Sequence, residues 1–356
     1  MTQTTVTIDE AKLNELVGRT IGDFGAIASS ALVVIGDRLG LYRALRDHGP
    51  ATPEELARVT ATSERYVRPW LLNQAASGYI DFDPASQRFV LSPEQAMVFA
   101  EEDTPASLAG GFTLLTAAVK AERRIEEAFR TGGGMHWGEH DEGLFSGTAR
   151  FFKPGYLAAL TQQWIPALQG IEERLRAGAI VADVGCGFGT STIIMAKAFP
   201  ASRFIGFDSH APSIETARRA AIEAGVDDRV SFEVASAQDF PGTGYDLVTL
   251  FDCLHDMGDP EGAAAHIRGA LAADGSTMVV EPMAAEDVEG NLNPVGRVYS
   301  AASVLVCTPH AIAENGRALG TLATDAELAR VFDGARFGSF IRVAETPTNR
   351  VFEARI

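Results

Sequence analysis

The second half of the sequence alternates between short apolar strands and helices. Strands are predicted at 180–183, 203–207, 230–234, 245–251 and 276–280, and helices at 190–199, 212–224 and 260–272. Strands that alternate with helices pair in parallel, because each helix returns the chain to the same end of the sheet. The pattern therefore predicts an α/β fold, a doubly wound parallel sheet that binds ligands at the carboxyl ends of its strands.

The first hundred residues predict a different, mostly helical domain. Residues 11–46 have helical periodicity, and a capping box with proline at the first helical position begins another helix after Thr52. Ser63 precedes a further helix, and the sequence around the turn 83–86 is typical of a β-hairpin. Helices followed by a hairpin are the order of a winged-helix domain, which we predict for residues 1–104.

Charge argues against DNA as the partner of this domain. Between residues 50 and 92 the sequence has four arginines and five acidic residues, and the whole chain has a net charge of −17. Such a surface repels phosphate backbones and anionic lipid. We therefore predict a dimerisation domain, in which the apolar helices of residues 27–45 form a homodimer, with no nucleic acid and no membrane as partner.

The start of the chain and its cysteines predict a cytoplasmic protein. The first ten residues lack the basic and apolar regions of a secretion signal, and no charge-free apolar run approaches the roughly 18 residues that a bilayer requires. Cys186, Cys253 and Cys307 lie far apart and form no CxxC pair. Neither a disulfide framework nor a cysteine zinc site is expected, and the thiols are predicted to be reduced and buried.

Residues 105–175 are predicted to form a helical linker and substrate lid region. The glycine-rich segment 131–143 interrupts the helices and is predicted to be a loop. Its His136 and His140 are four residues apart, but a triple-glycine loop does not present them on a helix, so a solvated polar loop is favoured over a metal site. A second segment, 291–310, is too apolar for a bare loop, and an amphipathic helix there would cover the substrate pocket.

The most informative segment runs from Asp183 through three alternate glycines, between the first strand and the first helix of the sheet. Glycines at this junction let the main chain approach a ligand closely. The dinucleotide fingerprint would place its third glycine where Thr190 stands, and an acid at the strand end would repel a pyrophosphate. Asp183 could instead accept hydrogen bonds from an ammonium group, as on the methionyl part of S-adenosylmethionine. Asp208, which ends the second strand, is placed to accept both hydroxyls of a ribose.

A second informative segment, 251–259, follows the fourth strand. It contains His255 and Asp256, and Glu281 ends the fifth strand. Because neighbouring parallel strands present their last residues to the same cleft, these side chains are expected to meet there. A lone histidine is usually structural, and Asp256 could cap the next helix, but the strand-end position favours a functional role.

These segments resemble the class I S-adenosylmethionine-dependent methyltransferases, which have a Rossmann-like sheet, over residues 180–356. The winged-helix order extends the resemblance to the small-molecule O-methyltransferases, and most closely to an actinobacterial group of unassigned substrate. The methyltransferase domain is expected to span residues 176–356. By this resemblance, the residues that border the cofactor are Asp183, Gly185 and Gly187 at the methionyl end, Asp208 and Ser209 at the ribose, Ser236 and Ala237 at the adenine, and Phe251.

The resemblance also implies catalytic roles, because the O-methyltransferases of this type use a His-Asp motif. His255 is implied to be the general base, Asp256 to position the substrate or the ring, and Glu281 to orient the histidine. No metal is implied. A second catalytic glutamate of the plant enzymes would fall near residues 322–324, where this sequence has no acid. The implied reaction is methyl transfer to a small-molecule acceptor, at a hydroxyl group.

Two other classes of function remain open from the sequence. One is a winged-helix transcription regulator, or another protein that binds S-adenosylmethionine without turnover; a DNA complex that dissociates in salt would reveal the regulator. The other is a nicotinamide-dependent oxidoreductase. Thermal stabilisation by NAD rather than by S-adenosylmethionine would identify that class.

Overall fold

The structure, a computed structural model, describes residues 8–356 and divides into two compact units. The first unit ends at Phe112, and the second runs from Thr113 to Ile356. The predicted linker and lid region, 105–175, therefore lies largely in the second unit. Each unit has buried hydrophobic clusters of its own.

The first unit consists of helices and a two-stranded wing. Its elements are α1 (Glu10–Arg38), α2 (Leu41–His48), α3 (Pro53–Val59), α4 (Glu64–Ala76), antiparallel strands β1 (Asp81–Asp83) and β2 (Arg88–Val90), and α5 (Pro93–Phe99); α6 (Ala109–Ala118) spans the boundary between the units. The predicted capping box is present, because Thr52 and Glu55 each accept a hydrogen bond from the other's amide. Ser63 precedes α4 but makes no capping bond through its side chain. The order of elements confirms the winged-helix prediction.

Helix α1 exposes a row of large apolar side chains. Ile21, Phe24 and Ile27 are 62%, 64% and 72% exposed. Their three-residue spacing places them along one face of the helix. Within the described part of the chain, α1 is also the one helix that is long and apolar enough to cross a membrane, a criterion that core helices and signal sequences satisfy too.

The second unit is built on a seven-stranded sheet. Its strands are β3 (Ile180–Val184), β4 (Arg203–Asp208), β5 (Val230–Val234), β6 (Tyr245–Phe251), β7 (Leu271–Pro282), β8 (Ser339–Glu345) and β9 (Asn349–Arg355). They are arranged in the order β5-β4-β3-β6-β7-β9-β8. The first five strands are parallel, whereas β9 pairs antiparallel with β7 and β8. The α/β Rossmann-like prediction is confirmed, with an antiparallel pair at one edge.

Helices cover both faces of this sheet. The helices of the second unit are α7 (Glu122–Thr131), α8 (Glu142–Ala159), α9 (Ile165–Ala167), α10 (Ile171–Ala177), α11 (Thr190–Ala198), α12 (Ala211–Ala224), α13 (Pro260–Ala270), α14 (Pro294–Ala302), α15 (Thr308–Ala313) and α16 (Asp325–Gly334). Of these, α11 and α12 pack in the core on one face of the sheet, and α13 and α16 pack in the core on the other. Val181 packs in one core and its neighbour Ala182 in the other, so β3 is buried on both faces. The chain leaves β3 toward β4 on one side and later returns to β6 on the other. This reversal of strand order opens a crevice at the carboxyl ends of β3 and β6.

The two segments predicted to cover the substrate differ in structure. Between α7 and α8 the chain forms a loop with a short 3₁₀ turn at Trp137–Glu139. The segment predicted at 291–310 is largely helical, with a π-helical turn at Ser303–Cys307 between α14 and α15. The loop is attached to α15, because the Met135 amide donates to the Pro309 carbonyl at 2.9 Å.

Gly206 in β4 has no space for a side chain. A Cβ atom there would lie 2.4 Å from the Phe232 ring and 2.8 Å from Cys186 Sγ. We expect Gly206→Ala to lower the free energy of unfolding by about 1–3 kcal/mol, because overpacking displaces buried groups. Gly269 in α13 is the control, since a Cβ there meets nothing within 4 Å, and Gly269→Ala should stabilise the helix by up to about 1 kcal/mol. Urea denaturation measures both; equal stabilities would contradict the expectation.

Candidate active site

A cavity of about 290 Å³ lies at the carboxyl edge of the sheet in the second unit. Its walls are the segments that follow β3, β4, β5 and β6, together with α8 and the end of α15. The predicted site residues that line it are Gly185, Gly187, Asp208, Ser209, Ser236, Ala237, Phe251 and Asp256. Asp183, His255 and Glu281 are buried and lie outside the lining. The predicted site therefore divides into a lining group and a buried group.

The glycine turn between β3 and α11 forms one wall. Gly185 and Gly187 have φ angles of 73° and 53°, in the left-handed region that glycine adopts without strain. The amides of Gly185 and Cys186 both donate to the Phe207 carbonyl, at 2.8 and 3.0 Å. A Cβ on Gly185 would lie 2.7 Å from Cys253 Sγ. Glycine is therefore required, and the main chain itself borders the cavity.

Asp183 lies beneath this turn and is 1% exposed. Ser191 Oγ and Thr192 Oγ1 donate to its Oδ2 at 2.7 and 2.5 Å, and Thr249 Oγ1 donates to its Oδ1 at 2.9 Å. Burial raises the pKa of Asp183 to about 6, although the three hydroxyls oppose the shift. The carboxylate thus faces protein hydroxyls, and this position does not support the direct contact with a methionyl group that the sequence predicts.

Asp208 lies at the end of β4 and lines the cavity. Its Oδ2 accepts a hydrogen bond from the Gly187 amide at 2.9 Å, and its Oδ1 accepts one from the His210 amide at 2.8 Å. Burial raises the pKa of Asp208, and the two amides oppose that shift. Because each carboxylate oxygen can accept a second hydrogen bond, the side chain is held by main chain and still able to bind two hydroxyls.

Ser236 follows β5 and forms the opposite end of the cavity with Ala237. Its hydroxyl and its amide both donate to Asp239 Oδ1, at 2.6 and 3.1 Å. This turn holds Ser236 in place with its short side chain directed to Asp239. The hydroxyl hydrogen of Ser236 is therefore used within the turn rather than offered to a ligand.

His255 is buried behind the cavity, at 3% exposure. Its Nδ1 lies 2.7 Å from Glu281 Oε2, while Glu281 Oε1 accepts from the Leu254 amide at 3.1 Å. The Cys307 thiol, from the π-helical turn, is a second side-chain hydrogen-bond partner of His255. Since Nδ1 faces Glu281, Nε2 is the nitrogen that can face the thiol. Burial alone lowers the pKa of His255, but Glu281 and Cys307 raise it to well above the usual value.

Asp256 connects the buried pair with the cavity. It lines the cavity, and one of its oxygens lies within 4.8 Å of both a His255 nitrogen and the Cys307 thiol. Burial raises the pKa of Asp256, while His255 and His310 oppose the shift. The structure therefore brings His255, Asp256 and Glu281 together, as the strand-end positions predict, but exposes only Asp256 to a ligand.

Side chains beyond the predicted catalytic and cofactor-binding residues complete the cavity. Phe152 and Tyr156 of α8 form an aromatic wall, with ring planes stacked at a centroid distance of 6.0 Å. Asp252, directly after β6, also lines the cavity. His310 of α15 lines it too, and its Nδ1 accepts a hydrogen bond from the Trp137 amide at 3.1 Å. Asp252 stands beside the recognised His-Asp pair in the sequence, and its strand-end position was the signal that could have identified it.

The histidines of the 132–141 loop differ from the prediction in part. His136 is exposed and pairs with Glu314 Oε1 through its Nδ1 at 2.8 Å. His140 is 7% exposed rather than solvated, and neither of its ring nitrogens has a hydrogen-bond partner among residues 8–356. Burial lowers the pKa of His140. His136, His310 and Glu314 have possible metal-ligand atoms within 4.8 Å of one another, but Nδ1 of each histidine is already engaged in the hydrogen bonds described.

Comparison with known protein families accounts for both units. Residues 175–332 match the methyltransferase domain family, and residues 27–101 match the Rv2258c-like winged helix-turn-helix domain family. The chain is 34% identical to 27-O-demethylrifamycin SV methyltransferase of Amycolatopsis mediterranei (strain S699) over 131 residues, which are 35% of this chain and 48% of that protein. The matched region thus spans about half the length of this curated relative.

Solved structures share the fold over almost the whole chain. Human N-acetylserotonin methyltransferase in complex with S-adenosylmethionine has a TM-score of 0.73 at 15% identity, and the match covers 100% of this chain and 99% of that one. The mitomycin 7-O-methyltransferase structure has a TM-score of 0.71 at 18% identity, with 97% and 100% covered. At these identities the comparison shows the common fold.

S-adenosylmethionine is the cofactor of this domain family, and the residues present fit it. The glycine turn brings bare main chain to the cavity, where a Cβ on Gly185 would collide with Cys253. Asp208 offers two carboxylate oxygens at the next strand end, and Ser236 borders the cavity after β5. Residues at these three strand ends would hold the adenosine part of the cofactor.

We expect Asp208→Asn to weaken S-adenosylmethionine binding by about tenfold or more, since hydrogen bonds to a charged group contribute about 1.5–3 kcal/mol. Isothermal titration calorimetry measures the dissociation constant. Asp333→Asn, on the exposed surface of α16, is the control and should bind as the unmodified protein does. Equal affinity of the two variants would refute the ribose contact of Asp208.

Proposed function

We propose that this chain, which belongs to the class I S-adenosylmethionine-dependent methyltransferases with an N-terminal winged-helix domain, methylates a hydroxyl group of a small molecule. The observation that carries the proposal is a single cavity that contains both the glycine turn with Asp208 and the aromatic wall of Phe152 and Tyr156. A donor held at the strand ends and an acceptor held against the rings would share this space.

The size and lining of the cavity favour a small, flat acceptor. Its volume of about 290 Å³ is at the low end of ligand pockets and is shared with the cofactor, which leaves little space for the acceptor. Aromatic side chains bind planar apolar molecules well, because ring faces and edges complement each other. The acceptor is therefore an aromatic or similarly planar hydroxyl compound, rather than a peptide or a nucleic acid.

The chain's own residues have to orient the acceptor and accept its proton. When bound, the cofactor supplies an electrophilic methyl group on a sulfonium centre. Glu281 accepts the Nδ1 hydrogen of His255 and so leaves Nε2, the nitrogen that faces the Cys307 thiol, as the basic nitrogen of that ring. The thiol has to yield this nitrogen when the proton arrives. Asp256 lines the cavity and is the nearest of these groups to an acceptor. In this proposal the proton of the acceptor's hydroxyl group passes by Asp256 to the His255–Glu281 pair. The transfer takes place while the cavity holds the acceptor next to the methyl group.

We expect His255→Asn to lower kcat by about 10²- to 10⁴-fold, the range for loss of a general base. The dissociation constant for S-adenosylmethionine should stay nearly unchanged, because His255 does not line the cavity. Single-turnover methyl transfer and calorimetry separate the two effects. Unaltered kcat would show that the histidine is structural.

The pH profile tests the role of Glu281 in the same proposal. A general base acts in its neutral form, so kcat should rise with pH as His255 loses its proton, with a midpoint above the usual histidine pKa because the pKa is raised. Glu281→Gln removes the charge that raises this pKa, so the rising limb should move to lower pH. A limb that stays in place in this variant would contradict the assignment. Activity that requires added magnesium would also contradict it.

A homodimer through the first unit is the second part of the proposal. The exposed face of α1 with Ile21, Phe24 and Ile27 is the surface that favours it, since apolar patches of this kind mark interfaces.

The free thiols of the three cysteines are consistent with a reducing, cytoplasmic location. A DNA-binding role for the winged helix is disfavoured by the net charge of −17.

We expect Phe24→Glu to convert the dimer to a monomer, because a charge in an apolar interface is left without a partner. Light scattering at micromolar concentration gives the mass. Ile222→Glu, on α12 of the second unit and 63% exposed in the unmodified chain, is the control and should remain dimeric. A monomeric unmodified protein would refute the dimer.

A further inference from the structure

Asp252 is a cavity residue that the proposed proton pathway does not use. It follows β6 directly, lines the cavity and has a φ angle of 51°. This left-handed conformation is unfavourable for a residue with a side chain and costs on the order of 1–3 kcal/mol unless its surroundings enforce it. Residues in such strained conformations are concentrated at functional sites, so Asp252 is a candidate for a functional role.

Two side chains hold the Asp252 carboxylate in place. The Tyr156 hydroxyl donates to Oδ2 at 2.9 Å, and Asn349 Nδ2 donates to Oδ1 at 2.7 Å. The Asp252 amide donates to the Val280 carbonyl at 2.8 Å. Burial raises the pKa of Tyr156, which keeps its hydroxyl a donor. Both carboxylate oxygens accept hydrogen bonds in this arrangement, which suits the ionised form.

The carboxylate lacks a compensating cation of its own. Within residues 8–356, no lysine or arginine forms a salt bridge with Asp252. Burial and the negative charge of Glu281 raise the pKa of Asp252 to about 8, while Tyr156 and His255 oppose the shift. At neutral pH and without a cation, Asp252 is therefore largely protonated. A cation that enters the cavity would lower this pKa and favour the ionised carboxylate, since little water screens the interaction.

The order of the strands indicates which part of the cofactor lies nearest. The adenosine contacts follow β5 and β4, at Ser236 and Asp208, and the glycine turn follows β3. The next strand along the sheet is β6, and its end is Asp252. Cys253 packs directly against Gly185, so Asp252 lies beside the glycine turn on the side away from the adenosine contacts. With the adenosine held at Ser236 and Asp208, the end of the cofactor that carries the sulfonium would lie on that side.

We propose that the Asp252 carboxylate recognises the sulfonium charge of S-adenosylmethionine and so makes the chain prefer the substrate cofactor over its product, S-adenosylhomocysteine. The two molecules share their adenosine, ammonium and carboxylate groups and differ in charge at sulfur, which is a cation in one and a neutral thioether in the other. A carboxylate at the sulfur discriminates between them, whereas contacts to the shared groups do not. The inference rests on the proposed function for the cofactor but not on the acceptor or on His255.

The test is calorimetric binding of both cofactor forms to the full chain. In Asp252→Asn, which keeps the shape of the side chain, the dissociation constant for S-adenosylmethionine should rise about tenfold or more, a change of about 1.4 kcal/mol. That for S-adenosylhomocysteine should change by less than about threefold, because the lost interaction is with the sulfonium alone. Asp252→Gly is the second variant, since glycine adopts the positive φ without strain, and it should show the same loss of preference.

Glu314→Gln is the matched control, because Glu314 is an acid that also lines the cavity. Its ratio of the two dissociation constants should equal that of the unmodified chain. An unchanged ratio in both Asp252 variants, or equal weakening of both cofactor forms, would overturn the inference. If the unmodified chain binds both forms but transfers no methyl group, the proposed activity fails while the preference for S-adenosylmethionine can still be measured.

Discussion

The hydrogen bonds to the Asp183 carboxylate hold the active-site edge together. Asp183 is the penultimate residue of β3, two of its hydroxyl donors belong to α11, and the third, Thr249, belongs to β6. A buried carboxylate is costly unless hydrogen bonds satisfy it. The cluster is therefore stable only when β3, α11 and β6 are all in place. The glycine turn lies directly above it, so the shape of the cavity wall depends on this one buried acid.

Negative charge is concentrated at the same edge. The acids there are Asp183, Asp208, Asp252, Asp256 and Glu281. Burial raises the pKa of each of the four aspartates. Asp183, Asp208, Asp252 and Glu281 are each held by a different set of hydrogen-bond donors. An edge of this kind attracts a cation and repels a phosphate, which agrees with a sulfonium cofactor and not with a dinucleotide.

Local patterns predicted the features that depend on neighbouring residues. The bounds of β5 and β6 agree with the prediction, because apolar strands between turns are recognisable from short windows. The sequence identified the glycine turn and Asp208 because each lies at the end of a strand that the apolar pattern predicts. Asp208, Ser236 and Phe251 line the cavity because the strands are parallel, and every parallel strand presents its carboxyl end to the same edge of the sheet.

Features that depend on packing between distant segments were not predictable in this way. Cys307 reaches His255 from the π-helical turn, and nothing near His255 in the sequence indicates a thiol partner. Asn349 and Tyr156 reach Asp252 from β9 and α8. The burial of His140 depends on the attachment of its loop to α15, which a glycine-rich composition does not indicate. In each case the deciding partner is distant in the sequence.

The cavity has two walls that come from separate parts of the chain. Strand ends form one wall, and they are constrained by the sheet and by the buried acids. Phe152, Tyr156 and His310 belong to the other wall, on helices α8 and α15 outside the sheet. Substitutions on those helices can alter the shape offered to an acceptor while the strand ends stay as they are. Homologous enzymes can therefore acquire new acceptors through substitutions on these helices and still use the same methyl donor.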